Sequence, residues 1–130
     1  MQIEKIKELF LKEFEPHKEK FNIYELTLKN AKESKDEKLC RPGVYVFWHP
    51  NRNVIKVGRH IVNSRKRALE HIRDNTGKKM NGLDDDTRIV LFNLNRNSVS
   101  QPYEDLHWVF ALEVFFELKL APEIPSKRLG

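Results

Sequence analysis

The chain opens with an amphipathic pattern. Apolar residues recur at intervals of three and four, which is typical of one buried helix face; they are Ile3, Ile6, Leu9, Phe10 and Phe14. Pro16 is expected to end this helix. Residues 21–29 fit neither the helical nor the strand period, and the polar residues 32–38 predict a solvated helix end or a loop. Residues 1–40 are therefore predicted to be a helical extension that serves packing, dimerisation or substrate clamping.

A different pattern begins at Pro42. Residues 44–48 are β-branched or aromatic and predict a strand, while residues 50–53 have turn chemistry. The apolar residues 54–57 predict a second strand that forms a hairpin with the first and ends at Gly58. Asn63 or Ser64 is expected to cap a helix that runs through Asn75 and stops at residues 76–77.

The last third of the chain predicts one more strand and one more helix. Residues 88–94 form a buried strand after the loop 81–86, and a second loop follows at 95–101. Pro102 suits the first turn of the final helix, and Pro122 ends regular structure. The side chains expected on its buried face are Leu106, Val109, Phe110, Phe116 and Leu120.

These elements predict an α+β fold. It contains a three-stranded antiparallel sheet with helices packed against it, preceded by the helical leader. A chain of 130 residues leaves room for one core. We therefore expect residues 41–130 to form a single compact unit, with residues 1–40 as an N-terminal extension.

Composition narrows the functional classes. The 24 basic and 19 acidic residues give a net charge of +5, which favours an anionic partner. One cysteine excludes an intrachain disulfide and a cysteine-rich zinc cluster, and we interpret Cys40 as inert. The sequence shows neither a secretory pattern nor an apolar run that could span a bilayer. We expect a soluble, cytoplasmic protein that does not bind membranes.

Three stretches carry the candidate chemistry. Gly43-Val44-Tyr45 is followed, eleven residues after the tyrosine, by Lys56-Val57-Gly58, and this pair resembles the hairpin motif of the GIY-YIG nuclease superfamily. The next predicted helix carries Arg67 and His71 one turn apart, on the same face, as in that family. The family also has a metal-binding glutamate on a later helix. Glu113, 42 residues after His71 and nine before Pro122, matches that position better than Glu117 does.

The resemblance covers residues 42–122 and implies an endonuclease that hydrolyses DNA phosphodiester bonds with a single divalent cation, Mg²⁺ or Mn²⁺. Glu113 would bind the cation, because one carboxylate with waters and phosphate oxygens suits Mg²⁺. Arg67 would hold the scissile phosphate with a forked donor pair. Tyr45 would hold or deprotonate the attacking water, and His71 would share or relay the proton. All five side chains, Lys56 included, are expected to converge at one end of the sheet.

Two positions depart from the family pattern. Lys56 stands where the second tyrosine is expected, although a restriction-enzyme branch resembles this chain in having lysine there. A lysine beside Arg67 would be pushed towards a neutral amine, which is a competent base. The same change also fits a domain that keeps the fold, loses the reaction and only binds nucleic acid or a protein. Residues 123–125 lack the asparagine that often follows the family's proline.

Basic residues near the motif are the candidate nucleic-acid contacts, with DNA the expected partner. They are Arg59, Arg65, Lys66 and Arg73, and their alternative interpretation is a solvated face. Self-association or a protein partner, engaged through the N-terminal helix, is a third class of function.

Other ionisable side chains have simpler interpretations. Glu113 interrupts an apolar run, so we expect a cation or metal beside it if it is buried, and an ordinary exposed glutamate otherwise. Three histidines, His49, His60 and His71, recur every eleven residues, but this does not indicate a zinc site. Even spacing along the chain does not bring residues together when they lie on a hairpin and a helix. Residues 84–86 are predicted to be a solvated turn rather than a calcium loop.

Overall fold

The computed structural model describes residues 1–75, 78, 80–95 and 102–126, without the side chains of 102–104. The strands are β1 (Phe21–Thr27), β2 (Gly43–His49), β3 (Asn53–His60) and β4 (Arg88–Leu94). The α-helices are α1 (Ile3–Glu13), α2 (Leu28–Glu33), α3 (Ser64–Asp74) and α4 (Pro102–Leu120). Two short 3₁₀ turns lie at Glu15–Lys20 and Glu37–Leu39.

The strands form one antiparallel sheet in the order β1-β4-β2-β3. The hairpin of β2 and β3 and the strand β4 lie where the sequence predicts them, except that β3 continues past the predicted end at Gly58 to His60. The prediction of three strands is wrong, because the leader adds β1 along the free edge of β4. An edge strand is only partly covered on both faces, and six of the seven residues of β1 retain some exposure. This is why residues 21–29 show no clean alternation.

Each face of the sheet carries its own apolar core. On the face covered by α1 and α4, here called the α1/α4 face, the sheet contributes Val44, Val46, Val90 and Phe92. On the α2/α3 face it contributes Tyr45, Phe47, Ile89 and Leu91. Neighbouring residues of β2 and β4 thus point to opposite faces, as the strand period requires. This alternation decides on which side each candidate side chain lies.

The helices follow their predicted patterns with one exception. The buried stripe of α1 contains Ile3, Ile6 and Phe10, and α3 begins at its predicted cap, Asn63, whose side chain accepts from the Lys66 amide. Phe110 was expected to be buried on α4 but is 39% exposed. The reason is that α4 has apolar residues on all sides, so its pattern does not mark the inner face.

The ends of two elements complete the outline. The helix α3 ends at Asn75, which adopts the left-handed conformation with φ 40° and tolerates it better than most residues do. The stop predicted at residues 76–77, and residues 96–101 of the predicted loop, lie outside the described residues. In the described ranges, no helix combines the length and apolar character needed to cross a bilayer.

Candidate functional site

The two glycines of the hairpin motif are required by close contacts. Tyr45 is 1% exposed and lies opposite Gly58 on the α2/α3 face. A Cβ atom at Gly58 would lie 2.6 Å from Cε2 of Tyr45, and closer still to its Cζ and Oη. A Cβ at Gly43 would lie 2.5 Å from the carbonyl oxygen of Phe92. The motif is therefore a packing arrangement in which the tyrosine ring lies across the neighbouring strand.

The helix α3 brings Arg67 and His71 to this tyrosine. Their separation of four residues puts both on one side of the helix. The His71 ring lies 5.7 Å from the Tyr45 ring, centroid to centroid. Arg67 Nη1 is 3.1 Å from Oε2 of Glu70 and keeps its side chain 40% exposed, so part of the guanidinium faces solvent.

Lys56 lies on the same face through ordinary strand alternation, because it precedes Gly58 by two residues. The register between β2 and β3 shifts between Phe47 and Trp48, so that Phe47 opposes Lys56 whereas Trp48 opposes Val54. Ile55 is the unpaired extra residue of this bulge. Phe47 belongs to the α2/α3 face, and Lys56 therefore lies there too. We call Tyr45, Lys56, Arg67 and His71 the Tyr45 cluster.

The cluster has a distinctive charge state at its histidine. Burial is the first cause that lowers the pKa of His71, and the positive charges of Lys56 and then Arg67 lower it further, to about 4. Asp74 and Glu70 act weakly in the opposite direction. His71 is therefore neutral at pH 7 and can accept a proton beside two cations. Strongly shifted ionisable groups of this kind are concentrated at functional sites.

Glu113 lies on the other side of the sheet. Its side chain is 5% exposed, and its Oε1 is 3.1 Å from Nε of Arg59. Arg59 opposes Val44, a residue of the α1/α4 face, and its guanidinium carbon lies 3.9 Å from the centre of the Phe110 ring. An ion pair joins Glu113 to Arg59 of the α1/α4 face, whereas the other four predicted side chains belong to the α2/α3 side. Glu113 thus reaches the end of β3 that also carries Gly58.

The environment of Glu113 explains its burial without a metal. A cation beside it was one of the two expectations for a buried carboxylate at this position, and Arg59 supplies that charge. Among the described residues, Arg59 Nε makes no aligned hydrogen bond, so the contact is an ion pair held by charge and proximity. Within the same part of the chain, Glu113 belongs to no group of three metal-binding side chains. In this arrangement the Glu113 carboxylate is engaged by Arg59.

The four predicted nucleic-acid contacts divide between the faces. Arg59 is engaged with Glu113 and Phe110 on the α1/α4 face. Arg65, Lys66 and Arg73 belong to α3 and line a single cavity on the α2/α3 side. The basic surface of α3 is thus a continuous feature of the side that carries the Tyr45 cluster.

The C-terminal segment occupies the region where the family's asparagine was missing. The amides of Glu123 and Ile124 donate to the carbonyl groups of Val54 and Ile55, at 3.0 and 2.8 Å, so this segment runs along the outer edge of β3. Arg52 holds the Glu123 carboxylate through two hydrogen bonds of 2.8 and 3.0 Å. These residues brace the edge of the sheet.

One group with metal-binding chemistry occurs among the described residues: His49, Asp84 and Asp86. Nε2 of His49 lies 3.0 and 3.1 Å from the two carboxylate oxygens of Asp84, while its Nδ1 accepts from the Asn51 amide. The proton is therefore on Nε2, where it bonds to Asp84. Asp84 also accepts from the Asp86 amide. The group connects a turn to the end of β2, in keeping with the predicted solvated turn.

Sequence reasoning missed Asn93, a buried polar residue that places α3. Its Oδ1 accepts from the hydroxyl of Ser64, the first residue of α3, and its Nδ2 donates to the carbonyl groups of Lys38 and Leu39. The interruption of the apolar run 89–94 by an amide was the available signal, because a buried amide needs partners.

Comparison with known families, with curated proteins and with solved structures finds no match to this chain. The resemblance to GIY-YIG nucleases therefore depends on the residues and geometry described above.

Proposed function

We propose that this protein is a GIY-YIG-type endonuclease that binds and hydrolyses a DNA phosphodiester bond at the Tyr45 cluster. The observation that supports this is a neutral histidine held beside a lysine, an arginine and a tyrosine on one face of the sheet. Phosphodiester hydrolysis needs positive charge for the phosphate and an acceptor for the proton of the attacking water. The cluster offers both.

Each side chain has a defined role in this proposal. Arg67 and Lys56 bind the non-bridging oxygens of the phosphate, and the planar guanidinium also orients the group through paired donors. As the water oxygen bonds to phosphorus and the bond to the leaving oxygen breaks, neutral His71 takes the proton of the water. The resulting imidazolium, acidic because of its low pKa, passes that proton to the leaving oxygen. Tyr45, fixed across Gly58, packs beside the His71 ring and holds it in place.

The divalent cation that the resemblance implies has no step in this account. Glu113 would be its protein ligand, and it is instead paired with Arg59 behind the sheet.

The separation of Glu113 from the Tyr45 cluster favours one second candidate: a module of the same fold that binds nucleic acid without cutting it. The two cations of the cluster suit phosphate binding whether or not hydrolysis follows. The distinction between the candidates is therefore cleavage, and not binding.

The test uses the full chain with supercoiled plasmid and a labelled duplex, in Mg²⁺, Mn²⁺ or EDTA. We expect nicking by the wild-type protein and a loss of about 100-fold or more in Arg67→Ala and His71→Gln. Lys12→Ala is the control, since Lys12 is an exposed cation on α1. Cleavage that survives both substitutions would overturn the proposal.

Nicking and binding, measured together, separate the two candidates. Duplex binding that weakens with salt, without nicking in any of the three conditions, would replace the nuclease by the binding module. Nicking that depends on a divalent cation and disappears in Glu113→Gln, with folding intact, would restore Glu113 to the site.

A further inference from the structure

A second basic feature lies next to the Tyr45 cluster, between α2 and α3. It is a cavity of about 610 Å³. Its lining residues are Lys32, Asn63, Arg65, Lys66, Leu69, Glu70, Ile72 and Arg73. We call it the α2–α3 groove. Lys32 belongs to the N-terminal extension, outside the part of the chain that resembles the nuclease family.

The charge of the groove is strongly positive. Four of its lining side chains are cationic and one is acidic. The acidic residue, Glu70, already faces Arg67. Lys32 and Lys66 are exposed, and neither has an ion-pair partner in the described ranges of the chain. These two ammonium groups are therefore available to an anionic ligand.

The walls of the groove are held in place by buried contacts. Ala31 of α2 and Ala68 of α3 are both fully buried in the core of the α2/α3 face. Arg65 donates to the carbonyl group of Ser34 and, at 3.2 Å, to the sulfur of Cys40. The guanidinium thus ties the segment after α2 to the start of α3. Leu69 and Ile72 give the groove an apolar floor between the cations.

The groove and the Tyr45 cluster lie on neighbouring sides of α3. Arg67 and His71 face the cluster, while Lys66 and Arg73 line the groove, and Glu70 borders both. A helix with its side chains is roughly 10 Å wide, and the phosphates of one DNA strand advance about 3.4 Å each along the duplex axis. A strand with one phosphate at the cluster can therefore place a neighbouring stretch of its backbone at the groove.

We propose that the α2–α3 groove binds the sugar-phosphate backbone of the DNA strand that flanks the phosphodiester at the Tyr45 cluster. This inference rests on the proposed function, and it gives the N-terminal extension a role in substrate clamping. Lys32 and Lys66 contact phosphate oxygens, and the apolar floor faces the sugars. The expected contact is to the backbone and not to the bases, because the two exposed ammonium groups bind phosphate as point charges.

The experiment compares two double variants with equal charge change. Lys32→Gln with Lys66→Gln alters the groove; Lys12→Gln with Lys119→Gln removes two exposed cations from the opposite side of the sheet. Binding of a labelled duplex is measured by fluorescence anisotropy between 50 and 300 mM salt, about the range in which phosphate contacts dominate. Circular dichroism confirms that each variant is folded.

We expect the groove variant to bind about tenfold or more weakly at low salt, and its slope of log affinity against log salt to fall by about 2 relative to wild type. The control variant should stay within about twofold. Equal effects in the two variants would overturn the inference, because the loss of net charge alone would then explain the weaker binding.

The outcomes also separate this inference from the proposed function. Binding that depends on the groove, without nicking, supports the groove as a backbone-binding site and overturns the proposed nuclease activity. Nicking that is lost in Arg67→Ala, together with equal DNA binding by the two double variants, supports the proposed nuclease activity and overturns the role of the groove. Wild-type protein that binds no DNA at low salt overturns both.

Discussion

The two faces of the sheet carry different kinds of side chain. The α1/α4 face is dominated by large apolar side chains, and Phe10 alone contacts the rings of Phe14, Phe21 and Phe92 at centroid distances of 5.7, 5.6 and 5.1 Å. The α2/α3 face contacts its helices through the small residues Ala31 and Ala68. It also carries the lysine, arginine, histidine and tyrosine of the cluster.

This difference shows how a small domain can hold ionisable groups close together. Ordering two cations and a neutral histidine contributes little to stability, because burial disfavours their charged forms. Both faces bury large apolar side chains, and the aromatic contacts of Phe10 are concentrated on the α1/α4 face. The chemistry and the stability of the fold are therefore expected to respond to different substitutions.

The largest effect is expected at the centre of the aromatic core. Phe10→Ala should destabilise the protein by about 3–5 kcal/mol, since it removes a fully buried ring and leaves a cavity. Leu69→Ala, on the α2/α3 side and only partly buried, should cost about 1–2 kcal/mol. Urea unfolding monitored by circular dichroism measures both. Equal losses would contradict the division of roles between the faces.

The ion pair behind the sheet should show the next largest effect. Arg59→Met leaves the buried Glu113 carboxylate without its guanidinium, and we expect a loss of about 3 kcal/mol. Adding Glu113→Leu should recover most of that loss, because two apolar side chains can replace a buried ion pair. A double variant as unstable as the sum of the single ones would show that the pair is not the source of the effect.

Gly58→Ala tests the contact that joins the hairpin to the cluster. The new Cβ would overlap the Tyr45 ring, and we expect a loss of about 1–3 kcal/mol from overpacking. The same substitution in a Tyr45→Val background should cost much less, because the ring that it meets has gone. Chemical denaturation of the four proteins gives the coupling free energy. Additive losses would place the strain elsewhere.

Local patterns were enough to predict most of the fold. The run 88–94 is β4 as expected, and the hairpin lies where turn residues separate two β-branched segments. The strand β1 escaped prediction because an edge strand with partly covered faces has no clean alternation. Its place beside β4 depends on long-range pairing that local sequence does not record.

The candidate site was predictable only in part. Arg67 and His71 follow from helical spacing, and Lys56 follows from the strand period, because it lies two residues before Gly58. The sequence does not show which way Glu113 points. Because α4 is apolar on all sides, its pattern does not mark the side of the helix that packs inward. The same property concealed the exposure of Phe110.

The smallest expected effect comes from the half-buried His71, and it appears as a dependence on pH. In the folded protein its pKa is about 4, below the value of about 6.5 in an unfolded chain. As pH falls below about 6.5, the unfolded chain binds a proton first, so this histidine lowers stability progressively down to about pH 4 and has no such effect above 6.5. Between pH 7.5 and 4.5 we expect a loss of about 1 kcal/mol that His71→Gln abolishes, after discounting for solvent screening.

Other titrating groups also change stability in this range, so the relevant quantity is the difference between wild-type and variant urea midpoints at each pH. His107→Gln is the control, because His107 is an exposed histidine on α4. It should follow the wild-type protein at every pH. A wild-type minus His71→Gln difference that stays constant from pH 7.5 to 4.5 would mean that His71 titrates alike in the folded and unfolded chains. The neutral histidine on the α2/α3 face would then be lost, and with it the contrast between an aromatic face and a face that holds ionisable groups close together.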